Sequence, residues 1–186
     1  MIADGYEIIK ISPVRAYLIG ALIASYDEAR YGLYYPWLPS EMVSRKLKMA
    51  VSYAFYKWLL INRVSTEYNW LNDFEATMPE NYDLKVRGFT IVASGEAKQE
   101  VGDTILIPLI DGPGHEAPLI TIYGIVSPQL VKITLCGYLY RWMLRDMPVV
   151  DRKGILCRKV PASMLKPMPE LLKILRGYEG VSILDS

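Results

Sequence analysis

The hydrophobic pattern of this chain changes its period near residue 84, and this change is the strongest constraint on its fold. Upstream, the stretch "AVSYAFYKWLLI" predicts a helix that is apolar on most faces. Downstream, the runs "LKVRGFTIVAS", "DTILIPLI" and "APLITIYGIV" predict three strands separated by glycine-containing turns. Because helices and strands are segregated along the chain, the pattern favours an α+β fold over a doubly wound parallel sheet.

Two helices are predicted before the strands. Pro13 follows Ser12, a favourable N-cap, and opens a first helix that runs to about Arg30. Ser40 is the N-cap of a second helix that runs to about Arg63. Because this second helix is apolar almost all round, we expect it to be the buried helix of the core.

The region after the three strands is predicted to return to helix. Pro128 opens a helix that runs to about Asp146, and "YLYRWMLR" forms part of it. A strand over "GILCRKV" and a last helix that ends at Gly177 follow. The expected fold is therefore one α+β domain over residues 1–186. It has two N-terminal helices, one of them buried, a central antiparallel sheet of roughly three to four strands, a further long helix and a small C-terminal β–α tail.

Composition narrows the class of protein. With 186 residues and 52% apolar residues, the chain is long enough and apolar enough for one packed domain. The net charge of +1 does not indicate nucleic acid as a general partner, because proteins that bind phosphates usually carry a basic excess. One histidine, two glutamines and four asparagines beside fourteen tyrosines are typical of a thermophilic source, where thermolabile amides are scarce.

Several classes of site have no signal in the sequence. The apolar stretch "AYLIGALIASY" has eleven residues, whereas a membrane-spanning helix needs about twenty. Asp4 and Glu7 precede it, which is unlike a secretory signal, so we expect a cytoplasmic or virion protein. Cys136 and Cys157 form no metal motif, and the sequence leaves open whether they pair. No motif predicts a nucleotide, zinc or other cofactor.

Acidic residues give the one candidate for catalysis. Asp83 is followed thirteen residues later by Glu96 and then by Lys98. An aspartate and a Glu-x-Lys on neighbouring strands can hold Mg²⁺, which orients and activates water, while the lysine stabilises developing charge. In these residues the chain resembles the PD-(D/E)xK nucleases. The resemblance implies that Asp83 and Glu96 are metal ligands and that Lys98 is the catalytic cation.

The chain departs from that family at two points. Tyr82, rather than proline, precedes Asp83. The Glu-x-Lys of the family lies inside an apolar strand, whereas "QEVGD" directly after Lys98 predicts an exposed hairpin loop here. The alternative interpretation of this segment is a solvated turn.

Aromatic and basic residues around the start of the second helix give two candidate binding surfaces. The aromatic loop is a candidate protein interface, because tyrosine and tryptophan are enriched at such interfaces. With the basic end of the helix it is also a candidate nucleic-acid surface, and packing of the loop on the core is the third alternative. The interface residues are Tyr34, Tyr35 and Trp37, and the basic residues are Arg45, Lys46 and Lys48.

The single histidine lies in "DGPGHE", between two of the predicted strands. Glycine and proline in "DGPG" are typical of a turn, so we expect a hairpin with His115 at its exposed end. Such a position does not favour catalysis by this side chain.

The sequence therefore predicts a non-enzymatic structural or interaction subunit of a larger assembly, with protein partners or self-assembly. Its most specific form is a virion protein of a thermophilic archaeal virus, an expectation that rests on composition and on the lack of a catalytic motif. The alternatives are a magnesium-dependent nuclease that uses Asp83, Glu96 and Lys98, and a small nucleic-acid-binding regulatory module.

Overall fold

A computed structural model describes residues 7–9, 39–68, 84–109, 119–126, 133–152 and 154–177. Both helices and a mixed sheet are present, which confirms the α+β class. In chain order the elements are β1 (Glu7–Ile9), α1 (Pro39–Ile61), β2 (Glu67–Tyr68), β3 (Leu84–Val86), β4 (Phe89–Ala97), β5 (Thr104–Pro108), β6 (Ile120–Val126), β7 (Ile133–Tyr140), α2 (Arg141–Leu144), β8 (Val149–Arg152), β9 (Ile155–Pro161) and α3 (Met168–Arg176).

The strands form two sheets. The large sheet has six strands in the order β1-β7-β6-β4-β3-β2, and the small sheet has three in the order β5-β9-β8. Strands β4 and β6 are parallel, whereas all other neighbours are antiparallel. The parallel pair arises because β5, which follows β4 in the chain, joins the small sheet, and the chain then crosses back to lay β6 beside β4.

Helices cover one face of the large sheet. The apolar side chains of α1 that point inward recur every three or four residues, as in a helix that packs on a core. Three residues of α3 pack in the same cluster. Burial of each large apolar side chain contributes about 1.5–3 kcal/mol. The inward residues of α1 are Leu47, Ala50, Val51, Ala54, Phe55, Trp58 and Leu59, and those of α3 are Met168, Leu171 and Leu175.

The small sheet covers the opposite face. Ile105, Ile107 and Val160 of the small sheet pack against side chains of β6 and β7, among them Tyr123 and Leu139. The layers are therefore helices, large sheet and small sheet. Because β6 is enclosed on both faces, every one of its residues is buried, which explains its continuous apolar run.

Two glycines let α1 lie close to the large sheet. Gly95 of β4 and Gly124 of β6 are direct partners in the parallel ladder. A Cβ atom on Gly95 would lie 2.7 Å from the carbonyl oxygen of Leu47, and one on Gly124 would lie 2.8 Å from Cγ1 of Val51. The helix can therefore rest on the strands only where both side chains are missing.

The predicted helix from Pro128 to about Asp146 is wrong over most of its length. The structure has strand β7 and only the four-residue helix α2 in this region, and residues 127–132 lie outside the described part. Within β7, Gly137 has φ +152°, and a Cβ atom there would lie 2.6 Å from the carbonyl oxygen of Lys166, so this position of the strand requires glycine. A strand buried on both faces lacks the alternation that distinguishes it from a buried helix, which is why the sequence pattern misled.

The predicted antiparallel sheet and the hairpin around "DGPGHE" are also wrong. The large sheet is mixed, and strands β5 and β6 lie in different sheets instead of pairing. His115 itself lies outside the described residues, as does the first predicted helix, over 13–30. Pro108 ends the edge strand β5, which agrees with the expectation that proline stands at an edge.

The first of the three predicted strands, over "LKVRGFTIVAS", is instead the hairpin of β3 and β4, because Arg87 and Gly88 form a turn with positive φ. Several other predicted elements are confirmed. The second predicted helix corresponds to α1, the last strand to β9 and the last helix to α3, which ends at Gly177 with φ +75°. The strand and helix of the C-terminal region are not a separate tail, because β9 is central in the small sheet and α3 packs on the large one. In the described part of the chain, no helix has the length and hydropathy needed to cross a membrane.

We expect Gly124→Ala to lower the free energy of unfolding by about 1–3 kcal/mol, because the added methyl group overlaps Val51. In a double-mutant cycle with Val51→Ala, the two changes should be less than additive, because Val51→Ala removes the methyl groups in the way. Denaturant unfolding measures these differences. Gly102→Ala is the matched control, since the nearest atom to its Cβ is 3.9 Å away. Equal losses at Gly124 and Gly102 would contradict the steric explanation.

Candidate functional site

Glu96 is the one acidic side chain among the buried residues of the described part of the chain. It lies near the end of β4 and is only 4% exposed. The other buried polar residues there are serines and threonines. A buried carboxylate is strongly unfavourable unless it is paired and hydrogen-bonded, so the surroundings of Glu96 define the first candidate site.

Three side chains contact Glu96, and together the four residues are called the Glu96 cluster. The hydroxyl of Tyr123 donates a hydrogen bond of 3.2 Å to Oε2, and Nζ of Lys98 forms an ion pair with the same oxygen. Nη1 of Arg152 donates a hydrogen bond of 3.0 Å to Oε1. Both carboxylate oxygens are therefore satisfied, as buried polar groups in native structures usually are.

The cluster is positioned by both sheets. Tyr123 projects from β6, the parallel neighbour of the strand that carries Glu96. The backbone N–H of Lys98 donates to the carbonyl oxygen of Val126 at 3.2 Å, which continues the same ladder by one bond. Arg152 comes from the end of β8 in the small sheet, so its bond to Glu96 joins the two sheets.

Exposure increases outward through the cluster. Glu96 and Tyr123 are buried, whereas the side chains of Lys98 and Arg152 are 38% and 54% exposed. The carboxylate thus lies directly behind two cations that face solvent. Each cation keeps much of its hydration, so it can change partner provided that another cation takes its place beside the buried carboxylate.

Burial controls the titration of the neighbouring groups. Burial raises the pKa of Tyr123 well above its ordinary value of 10.0, the charge of Glu96 raises it further, and Arg152 opposes both. Burial raises the pKa of Cys136 to about 12, and burial also raises the pKa of Cys157. Tyr123 is therefore a neutral hydrogen-bond donor, and the two buried cysteines are protonated thiols with little nucleophilic character.

The structure brings two of the three predicted catalytic residues together. Glu96 and Lys98 are in contact, while Asp83 lies outside the described residues. The expectation that Glu96 belongs to an exposed hairpin loop is wrong. Strand β4 continues to Ala97, and Tyr123 and the small sheet cover the carboxylate. The sequence did not reveal Tyr123 and Arg152 as partners, because both come from distant strands.

The donor set of the cluster suits a hard divalent cation only in part. In the described part of the chain, no group of three histidine, cysteine, aspartate or glutamate side chains could hold a metal ion. Magnesium, however, is often bound by one or two carboxylates together with water and phosphate oxygens. Glu96 supplies one such carboxylate. Its oxygen Oε1 contacts Arg152, whose side chain is more than half exposed, so this oxygen lies on the solvent side of the cluster. Among the described residues the cluster thus supplies one carboxylate ligand, and a magnesium site would need a second carboxylate.

The predicted binding residues of the N-terminal half remain predictions. Tyr34, Tyr35 and Trp37 lie outside the described residues. Arg45 and Lys46 lie in α1, where only their backbone is described, and Lys48 is half-buried in the same helix.

A second candidate site, the aromatic patch, consists of Leu119, Tyr140 and Trp142. The rings of Tyr140 and Trp142 are stacked, with centroids 6.1 Å apart and an interplanar angle of 13°. Trp142 is 57% exposed, and Leu119 is also an exposed apolar side chain. The carbonyl oxygen of Leu119 accepts a hydrogen bond of 2.9 Å from the N–H of Arg141, which brings the two chain segments together. The sequence analysis assigned this segment to a longer helix and so missed the stacked pair.

A third surface lies on the small sheet. Val149 and Leu156 are both about half exposed. Their positions in the β8–β9 ladder place them on one face, because Val149 pairs with Arg158, two residues from Leu156. Strand β8 is an edge strand, and no described strand pairs with its outer side. This surface therefore combines apolar side chains with a free strand edge.

Comparison of the chain with protein-family models, with curated proteins and with solved structures finds no match.

We expect Tyr123→Phe to change how stability depends on pH. In the wild-type protein, the contribution from neutral Tyr123 is fully present below about pH 10 and is lost above it, because the folded-state pKa is raised. Above about pH 10, this contribution to the free energy of unfolding falls by about 1.4 kcal/mol per pH unit, and Tyr123→Phe should remove this pH dependence. At neutral pH the variant should lose about 1.5–3 kcal/mol, the value of a hydrogen bond to a charged group.

Denaturant unfolding at neutral pH and at several alkaline pH values measures both effects. Tyr53→Phe, at a partly exposed position of α1, is the control. If Tyr123→Phe and the wild-type protein lose stability at the same rate above about pH 10, the assignment of Tyr123 as a buried neutral donor is incorrect.

Proposed function

We propose that this protein is a divalent-metal-dependent nuclease whose active site includes Glu96 and Lys98. The observation that carries the proposal is the buried carboxylate of Glu96 near the end of a core strand, with the ammonium group of Lys98 in contact with it. The resemblance to the PD-(D/E)xK nucleases calls for a Glu-x-Lys within an apolar strand. Glu96 meets that requirement in the buried part of β4, whereas Lys98 lies one residue beyond the end of the strand.

Each residue of the Glu96 cluster has a defined task in this proposal. Glu96 provides a metal ligand through Oε1, while the hydroxyl of Tyr123 holds Oε2 and so fixes the orientation of the carboxylate. Lys98 keeps a positive charge beside the reacting phosphate, where negative charge develops. A bound Mg²⁺ supplies activation of water and polarisation of the phosphate. Asp83 is the second carboxylate that the proposal requires.

Arg152 is the residue that changes partner. Its guanidinium group holds Oε1 of Glu96 from the solvent side and is more than half exposed. Guanidinium groups bind phosphate with two parallel hydrogen bonds, so a nucleic-acid backbone is a suitable alternative partner for Arg152. In the proposal Arg152 moves from Glu96 to the phosphate as substrate binds, which frees the oxygen that the metal needs.

We expect labelled DNA or RNA to be cleaved only when Mg²⁺ or Mn²⁺ is present. Glu96→Gln, Lys98→Met and Asp83→Asn should each lower the cleavage rate by roughly a hundredfold or more, since the carboxylates hold the metal and Lys98 stabilises charge on the reacting phosphate. Gel analysis of cleavage products over time measures the rate. Two matched controls change exposed residues: Asp103→Asn, directly before β5, and Lys159→Met, on β9. Both should cleave at the wild-type rate.

Circular dichroism and unfolding of each variant separate loss of activity from loss of fold. Glu96→Gln keeps an oxygen that can accept from Tyr123, so it should fold. A folded wild-type protein that cleaves no DNA or RNA with either metal, or equal rates for Glu96→Gln and the wild type, would refute the nuclease proposal.

A second function, that of a subunit in a larger assembly, is favoured by the surface on the small sheet. No described strand pairs with the outer edge of β8, and the backbone groups of such an edge commonly bind another strand. Val149 and Leu156 add an apolar area next to that edge. In this proposal the partner is a second copy of the chain, paired edge to edge through β8. Its most specific form, a virion protein of a thermophilic archaeal virus, is supported only by composition.

We expect a self-assembling protein to show a concentration-dependent mass in size-exclusion chromatography with light scattering. Val149→Lys should shift it to the monomer, because it places a charge in the contact. Leu60→Lys, at an exposed apolar position near the end of α1, should leave the mass unchanged. A wild-type protein that is monomeric at every concentration, or equal dissociation by both variants, would count against assembly through β8.

A further inference from the structure

We infer that the aromatic patch is a binding surface for single-stranded nucleic acid. The patch lies apart from the Glu96 cluster. Tyr140 pairs with Ile120 at the start of β6, whereas Glu96 pairs with Ile125 near its end. Five residues of strand separate these positions, or about 17 Å. The inference therefore does not depend on the nuclease proposal.

The ring of Trp142 is exposed, whereas that of Tyr140 is partly buried and holds it in place. Tyr140 ends β7 and contacts the buried ring of Tyr138 edge to face, with centroids 5.4 Å apart and an interplanar angle of 86°. The backbone of Tyr138 exchanges two hydrogen bonds with that of Lys166, at 3.0 and 2.9 Å. Trp142 stacks on Tyr140 and has more than half of its surface in solvent. A base that stacks on Trp142 therefore meets a surface that needs little further ordering.

Positive charge surrounds these rings. Nζ of Lys166 lies 5.9 Å from the centroid of the Tyr140 ring, and Arg141 and Arg145 are exposed on the turn of helix that carries Trp142. The nearby acidic residues are Asp146 on the same turn and Glu170 on α3. Cations are therefore in excess around the patch.

The charge distribution of the whole sequence agrees with this local excess. Residues 133–177 contain nine lysines and arginines but only three aspartates and glutamates, although the chain as a whole has a net charge of +1. Of these basic residues, Arg141, Arg145 and Lys166 lie at or beside the patch, whereas others belong to the small sheet and to α3. The local cations suit a polyanionic partner.

The combination of features selects one kind of partner. Aromatic rings on which bases stack, together with flanking cations that contact the backbone, are the features by which proteins bind single strands. In a duplex the bases already stack on one another, so their faces are not available to Trp142. An unpaired strand offers both the base face and the phosphate charge that the patch can use.

Fluorescence anisotropy with a labelled oligothymidylate, in buffer with EDTA to prevent metal-dependent cleavage, tests this inference. We expect the wild-type protein to bind the oligonucleotide and Trp142→Ala to weaken binding by roughly five- to a hundredfold, the usual effect of losing one stacked base. Trp142→Phe, which keeps an aromatic face, should recover part of the affinity. Leu60→Ala removes an exposed apolar side chain elsewhere and should bind like the wild type.

Salt dependence tests the part played by the cations. Lys166→Met and Arg141→Met should each lower the slope of log affinity against log salt by about 0.7, the value for one phosphate contact on a single strand. Lys159→Met, at an exposed position of β9, should leave the slope unchanged.

Three results would overturn the inference. One is equal affinity of Trp142→Ala and the wild type for the oligonucleotide, including the case in which neither binds. Another is equal or tighter binding of the wild-type protein to a duplex of the same length. The third is a self-association of the protein that Trp142→Ala abolishes, since the patch would then be a contact between protein chains.

Discussion

The close contact between α1 and the paired glycines Gly95 and Gly124 is the constraint on which the rest of the structure depends. Backbone and side-chain atoms of α1 fill the space where Cβ atoms would stand. The helix can therefore cover β4 and β6 directly, and these strands become the centre of the large sheet. Their other face carries Tyr123 and Ile125 together with the buried carboxylate of Glu96, and the small sheet covers it.

This layering explains why Glu96 is buried. Glu96 follows Gly95 directly, and because successive residues of a strand point to opposite faces, it projects away from α1 and towards the small sheet. A carboxylate in that position needs partners, and the fold supplies a hydroxyl from β6 and cations from two sides. Replacing such a buried charge by an apolar side chain is often neutral or favourable for stability. A buried charge of this kind is therefore better explained by chemistry than by stability alone.

The molecule presents its other distinctive residues on two separate surfaces. The exposed ring of Trp142 stacks on the partly buried Tyr140 at the end of β7, next to Tyr138 and Lys166. The exposed apolar pair Val149 and Leu156 lies beside the free edge of β8 in the small sheet. Because these surfaces differ in chemistry, one aromatic and basic, the other apolar with a strand edge, they suit different partners. The nuclease proposal and the binding inference therefore concern different parts of one molecule and can be decided separately.

The sequence by itself determined the elements that depend on local signals. The apolar pattern was enough for α1, although the helix begins at Pro39, one residue before the predicted N-cap Ser40. Gly177 marked the end of α3, because caps and helical periodicity act within a few residues. The spacing of Glu96 and Lys98 likewise identified the two residues that meet in the Glu96 cluster. Only the tertiary structure decided that β7 is a strand, that β5 leaves the large sheet, and that Glu96 is buried with Tyr123 and Arg152. These features depend on contacts between residues far apart in the chain, and a strand enclosed on both faces carries no alternating pattern from which its neighbours could be inferred.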